Sequence, residues 1–129
     1  MLSRTVEWPV EEIPDDGILY RTAHKNLLLG HEGLGEDEVP PGVIKVEDEL
    51  STDWDRYSTP EESRSRARSP DDTGVVFLPV GALREQTRQR VEHRPLSTNR
   101  SHSLIVGKKD PETRLKLRRL ARWVIRIAP

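Results

Sequence analysis

The sequence predicts an α+β fold, a small and mainly antiparallel sheet with a packed basic C-terminal α-helix and long acidic loops. Two observations predict it. Short runs rich in β-branched and aromatic residues at 18–22 and 75–80, and alternating runs at 88–93 and 102–106, are set off by turn signals such as Asp16-Gly17 and Asp71-Asp72-Thr73-Gly74. A stretch of helical periodicity opened by Asp110-Pro111-Glu112 then closes the chain.

Taken in order, residues 1–16 form an acidic, proline-punctuated lead-in with Trp8 and Ile13 as candidate anchors, and residues 17–129 form a single α+β domain. The run Ile18-Leu19-Tyr20-Arg21-Thr22 reads as a short strand, followed by one or two helical turns over 23–29. Residues 31–42 hold three Gly, two Pro and four acids, which makes them a loop. A second short strand is expected at 42–46, and an irregular segment docked by Trp54 and Tyr57 at 50–57. Thr59-Pro60-Glu61-Glu62 is a helix start: Thr59 caps, Pro60 fits the first helical position and Glu62 completes a capping box. That helix is short and polar and ends near Ser69-Pro70. The strongest strand is 75–80, with Pro79 placing it at an edge or a strand end. Residues 81–86 read as one helical turn. Residues 88–93 and 102–106 read as an antiparallel pair joined by 94–101, and Gly107 ends the second strand. The final helix is expected to run to about Ile127 and to bury Leu117, Leu120, Val124 and Ile127 at 3-4-3 spacing.

Composition limits what such a domain can be. The chain has 129 residues, an apolar fraction of 33%, and 32 Leu, Ile, Val and Phe, enough for one thin core. It has no cysteine, which excludes disulfides, cysteine zinc sites and a thiol nucleophile and fits a cytoplasmic protein. The longest apolar runs, at 75–78 and 104–106, are far too short to span a bilayer, and the acidic N-terminus lacks the apolar stretch of a signal peptide. No phosphate-binding glycine loop, dinucleotide fingerprint, zinc-protease motif or nucleophile elbow occurs, so neither cofactor nor metal is expected. At 5%, aromatic residues are few for stacking on single-stranded bases.

Charge is the most unusual feature. The net charge is −1, yet residues 1–64 carry 16 acids against 6 bases, and residues 65–129 carry 6 acids against 15 bases. Either the two halves neutralise each other, or the basic half is a surface for nucleic acid or an acidic partner protein. In the second case Arg114, Arg118, Arg119 and Arg122 on the final helix carry the contact, with Arg94 and Arg100 in support, because guanidinium offers phosphate a two-pronged donor.

Two histidines give an alternative. With a symmetric hairpin register His93 faces His102, on one face with Val91, Leu104 and Val106. Two imidazoles near Asn99, Arg94 and Arg100 suit acid–base work on a phosphodiester, or they hydrogen-bond backbone at a strand end. As metal ligands they lack a third partner at diagnostic spacing. Arg21, on a strand and followed by His24, is a candidate phosphate holder, or pairs with nearby acids.

The segments ILYRTAH, STDWDRYSTPEES, GVVFLPVGALRE and VEHRPLSTNRSHSLIVG together resemble a family of small bacterial proteins. That family shares a Leu-Tyr/Phe-Arg…His opening and a Val-x-His-x-Pro-Leu…Asn-x-x-His ending. The resemblance covers roughly residues 18–126 and implies no activity. Arg21 in its strand is also faintly similar to the strand arginine of ADP-ribosyltransferase-like domains, but the Ser-Thr-Ser-type strand and a well-placed glutamate are missing. Two-histidine phosphoesterases are a poorer match, since neither His93 nor His102 sits in a His-x-Ser/Thr motif.

Two functions follow as expectations. The first is an accessory protein of a bacterial multi-component system, holding nucleic acid or an acidic partner through its basic half. The second is a small enzyme acting on a nucleotide or phosphodiester, with His93 and His102 as acid and base and Arg21 and Arg100 on the phosphate. A defence or toxin–antitoxin component working by protein contact alone is a third.

Overall fold

The computed structural model describes residues 7–129; the first six residues of the lead-in lie outside the described residues. Six strands form one antiparallel sheet: β1 (Ile18–His24), β2 (Glu49–Trp54), β3 (Thr73–Pro79), β4 (Arg90–His93), β5 (His102–Val106) and β6 (Arg122–Ile125), in the order β4-β5-β2-β1-β3-β6. Three helices accompany it: α1 (Pro60–Ser65), α2 (Val80–Thr87) and α3 (Pro111–Leu120). The fold is therefore α+β with a small antiparallel sheet.

One face of the sheet carries the core. Leu19 and Ala23 of β1, Leu50 and Trp54 of β2, Val76 and Leu78 of β3, Val91 of β4 and Ile105 of β5 pack there against Leu83 of α2 and Leu117 of α3. Val39, Val43 and Ile44 from the long connection between β1 and β2 join them, and so does Ile13 of the lead-in. The alternation of these residues with polar neighbours along each strand is what fixes which face is buried.

The caps read from sequence are present. Thr59 accepts from the Glu62 N–H while Glu62 reaches back to the Thr59 N–H, and Asp110 accepts from the Thr113 N–H. Pro79 ends β3 and leads directly into α2, which has eight residues rather than one turn. The polar helix stops at Ser65, before the expected Ser69-Pro70.

Three larger departures from expectation concern the second strand, the final helix and the hairpin register. Residues 42–46 are not a strand: Pro41–Val43 make a single 3-10 turn that sends Val43 and Ile44 into the core. The second strand is instead Glu49–Trp54, within the stretch expected to be irregular. There Leu50, Thr52 and Trp54 are buried and alternate with Glu49, Ser51 and Asp53. Ser and Asp have little strand preference of their own, and pairing with β1 and β5 decides the outcome.

The final helix does not reach Ile127. It ends at Leu120, and Arg122–Ile125 form an edge strand beside β3. The stripe Leu117, Leu120, Val124, Ile127 is thus no helix face, and Val124 is exposed. Trp123, Val124 and Ile125 favour a pleated chain over a helix, and β3 offers them an unpaired edge. Gly74 permits the approach: a Cβ there would lie 2.6 Å from the Ile125 carbonyl oxygen and 2.9 Å from the Trp123 ring.

The third difference is register. At the hairpin tip Leu96 pairs with Asn99, but in the ladder His93 pairs with Ser103 rather than His102. The strand leading into β5 therefore carries one residue more than the strand leaving β4, and a one-residue slip sends His102 to the opposite face from His93. The extra residue is held by side chains. Asn99 Oδ1 accepts from the Ser101 N–H at 3.1 Å, and the Arg100 carbonyl meets His93 Nε2 at 2.7 Å.

Lys109 closes the far end of the hairpin. Its buried ammonium donates to the carbonyls of Asp48, Ile105 and Gly107, at 3.2, 2.8 and 3.0 Å, which joins the start of β2 to the end of β5. Burial lowers its pKa from the ordinary lysine value, against the opposing influence of Asp48 and Glu47.

Gly74→Ala is expected to detach β6 and cost about 1–3 kcal/mol in urea unfolding. Were the C-terminus helical to Ile127, the same substitution would be neutral or slightly stabilising.

Candidate functional site

The strand register sets one row of side chains across the sheet, on the face away from the core. His102 of β5 pairs with Asp53 of β2, and Asp53 pairs with Tyr20 of β1. Residues directly opposite in neighbouring strands project to the same side. The last turn of α1 and its cap lie over this row, and together they enclose an open cleft of about 190 Å³ lined by Tyr20, Arg21, Thr22, Ser51, Asp53, Ser63, Arg66, Asn99 and His102.

Asp53 organises the cleft. One carboxylate oxygen accepts from Asn99 Nδ2 at 2.8 Å, and the other from Ser63 Oγ at 2.7 Å and Arg66 Nη1 at 3.1 Å. With its acceptors filled, Asp53 ties α1 to the hairpin tip and fixes Arg66 and Asn99 at the cleft wall. It is a positioning group, not an open base.

His102 is oriented by backbone. Its Nδ1 lies 2.8 Å from the Arg94 carbonyl oxygen, and a carbonyl can only accept, so Nδ1 carries the hydrogen and Nε2 holds a lone pair. The Ser51 hydroxyl lies 3.4 Å from Nε2, too long for a strong hydrogen bond, which leaves Nε2 open to a ligand or water.

Arg21 is placed where β1 and β2 separate. The two strands pair only at Leu19–Trp54 and Tyr20–Asp53. Beyond that point the Arg21 guanidinium donates to the carbonyls of Ser51 at 2.7 Å and Val43 at 2.5 Å. It forms no ion pair with a carboxylate among the described residues, so its direct partners are carbonyls. Burial pulls its pKa down, with Glu47 acting the other way, but a guanidinium stays charged. Tyr20 is pushed upward by burial first and then by Asp55 and Glu61, which keeps its phenol a hydrogen-bond donor.

His93 belongs elsewhere. It is 1% exposed on the core face, beside Ser103 and Thr52 in the strand rows. Its Nδ1 accepts from the Glu11 N–H at 3.0 Å, so Nε2–H donates to the Arg100 carbonyl. Its ring stacks on Tyr57 and meets Trp54 edge-on. Both ring nitrogens are spent on backbone, and the expected His93–His102 pair does not form. Arg100 also leaves that constellation. Its guanidinium lies between the rings of Trp8 and Tyr57, 4.5 and 4.0 Å from their centroids, and 3.8 Å from Glu11.

The basic residues of the C-terminal half are largely met by the acidic half. Arg114 donates to the Ile44 carbonyl, and Arg118 donates to the Val39 carbonyl and pairs with Glu38 at 3.6 Å. Arg126 pairs with Asp37 at 2.6 Å, and Arg94 with Glu92 at 2.6 Å and Glu49 at 3.9 Å. Arg122, on β6 rather than on the helix, turns back onto the carbonyls of Arg119 and Ala121. Arg119 is exposed and makes no side-chain hydrogen bond or ion pair among the described residues.

The cleft thus joins two residues singled out in the sequence, Arg21 and His102, and separates them from His93 and Arg100. It adds Tyr20, Ser51, Asp53 and Arg66. Ser51 and Asp53 would have been found by reading 49–54 as an alternating strand. Nothing in the sequence marks Arg66, which arrives as the C-cap of a six-residue helix. Among the described residues no cluster of potential metal ligands occurs and no helix is long and apolar enough to cross a membrane. Compared with protein-family models, with curated proteins and with solved structures, the chain matches none.

The lead-in is held by an acid-sensitive contact. Glu11 accepts from the Tyr57 hydroxyl, which lowers its pKa from the ordinary value, with Arg56 and Arg100 adding to the effect against desolvation. A carboxyl whose folded pKa is depressed contributes stability above its unfolded pKa and loses it as pH falls through the folded value. Lowering the pH from about 7 to about 3 should therefore reduce the urea midpoint more in the wild type than in Glu11→Gln. Equal losses would show that Glu11 anchors nothing.

Proposed function

We propose that this chain is a small enzyme that takes a phosphate ester into the cleft between β1, β2, β5 and α1. The observation that carries this reading is one cleft lined by His102, with its open Nε2, and by the cations Arg21 and Arg66, of which Arg21 is half-buried, enters the gap between β1 and β2 from the core face and makes no ion pair among the described residues. A half-buried cation whose direct partners are carbonyls is held at some cost, and an anion from a ligand would relieve it. Arg66 and the Tyr20 phenol add donors on the same wall.

In this reading Arg21 and Arg66 draw the phosphoryl oxygens, and Tyr20 donates to one of them. His102 Nε2 takes a proton from an attacking water as the water oxygen bonds to phosphorus. The ester P–O bond breaks, and the leaving oxygen is protonated by the imidazolium. His93 has no part in the chemistry. It holds the hairpin that carries His102.

The basic-surface reading is supported by Arg114, Arg119 and Arg122, the guanidiniums of α3 and β6 that make no ion pair with a carboxylate among the described residues. Three phosphate contacts on duplex DNA give a log–log salt slope of only about −3.

Hydrolysis of bis(p-nitrophenyl) phosphate and p-nitrophenyl phosphate tests the proposal. His102→Ala should lower kcat by about 100-fold or more, and Arg21→Ala should act mainly on KM. His93→Gln, checked for folding by circular dichroism, should retain turnover. Turnover indifferent to His102→Ala, or absent in the wild type, would overturn the acid–base assignment.

A further inference from the structure

We infer that the phosphate cleft continues into a base-binding groove, so that the ligand is a nucleotide whose heteroaromatic ring lies against Trp8, Pro95 and Leu96. This rests on the phosphate-ester reading above and names the remainder of that ligand. His102 is a wall shared by the cleft and a second, larger groove lined by Glu7, Trp8, Arg94, Pro95, Leu96 and Leu104, among others. Leu104 lies two residues beyond His102 on β5 and so faces the same side of the sheet.

Size separates the two compartments. The cleft holds about 190 Å³, below the roughly 300–1,000 Å³ of small-ligand sites, and suits a phosphoryl group with a sugar. The adjoining groove holds about 600 Å³, enough for a base. Its lining is the reverse of the cleft's. Trp8, Leu96 and Val10 are 37%, 49% and 71% exposed, and all three border this groove. Single exposed apolar residues are ordinary, but a group of them around one concavity next to a polar site is not.

The aromatic wall is fixed in advance. Arg100 lies 4.5 Å from the Trp8 ring centroid and is itself held by Tyr57 and Glu11. An indole ordered before the ligand arrives loses little entropy on binding. The rim is polar: Glu7 accepts from an exocyclic amine, and the Ser97 hydroxyl both donates and accepts. An amino-bearing base satisfies these groups. An alkyl chain in the same place leaves them without partners, which is why a base is the occupant assigned here.

Calorimetric titration of the full chain with AMP, ribose 5-phosphate and hexyl phosphate tests this. AMP is expected to bind about 10-fold more tightly than ribose 5-phosphate, the increment of one stacked base. Leu96→Ser, at an exposed tip position, should bring that ratio close to one while leaving ribose 5-phosphate binding unchanged. Equal affinity of the wild type for AMP and ribose 5-phosphate would overturn the base groove and leave the phosphate site standing. Hexyl phosphate binding as tightly as AMP would overturn the base as occupant. Failure of all three phosphates to bind would overturn both readings.

Discussion

His93 is hydrogen-bonded to backbone at both ring nitrogens, and much of the structure converges on that ring. Through Nδ1 it holds the lead-in at Glu11, and through Nε2 it holds the extra residue of the hairpin at Arg100. Trp54 and Tyr57 pack against its faces. Because Arg100 gives its carbonyl to His93 and not to the ladder, and Ser101 gives its N–H to the Asn99 side chain, the pairing shifts by one residue before β5 begins. That shift turns His102 outward. The buried histidine thus determines where the open histidine points.

The same economy governs charge. An acidic N-terminal half and a basic C-terminal half look like two poles in the sequence, but the long loop at 36–44 folds onto α3 and β6. Its carbonyls take up Arg114, Arg118 and Arg126 as often as its carboxylates do. Exposed ion pairs of this kind add little stability each. Their consequence is that most of the basic residues are engaged at home. Arg21 matters most for the cleft, because it is half-buried between two strands, has carbonyls as its direct partners, and borders the cleft that His102 enters.

How much of this was legible in the sequence depends on whether the signal was local. The capping box at Thr59, the Asp110 cap, the β1 strand and the two hairpin strands were readable because each rests on neighbouring residues. The end of α3 was not. Trp123, Val124 and Ile125 continue a helical apolar pattern tolerably, and only the free edge of β3 and the missing side chain of Gly74 make a strand the better solution. Strand β2 was hidden by Ser51 and Asp53, whose strand state comes from partners on both sides. The hairpin slip was least legible of all. Its length of eight residues permits a symmetric register, and the choice between registers lies in contacts of Asn99 with Asp53 and of His93 with Arg100. Arg21 and His102 were visible as residues, but their neighbourhood was not, because it needs β2 between them.

The central claim is that the slip separates a sealed His93 from an open His102. Long-range proton–nitrogen correlation of the imidazoles tests it directly, since it reports which ring nitrogen carries hydrogen in each histidine. The structure predicts hydrogen on Nε2 for His93 and on Nδ1 for His102, with only the His102 signals moving when inorganic phosphate is added. The same tautomer at both positions, or phosphate shifts centred on His93, would contradict the account.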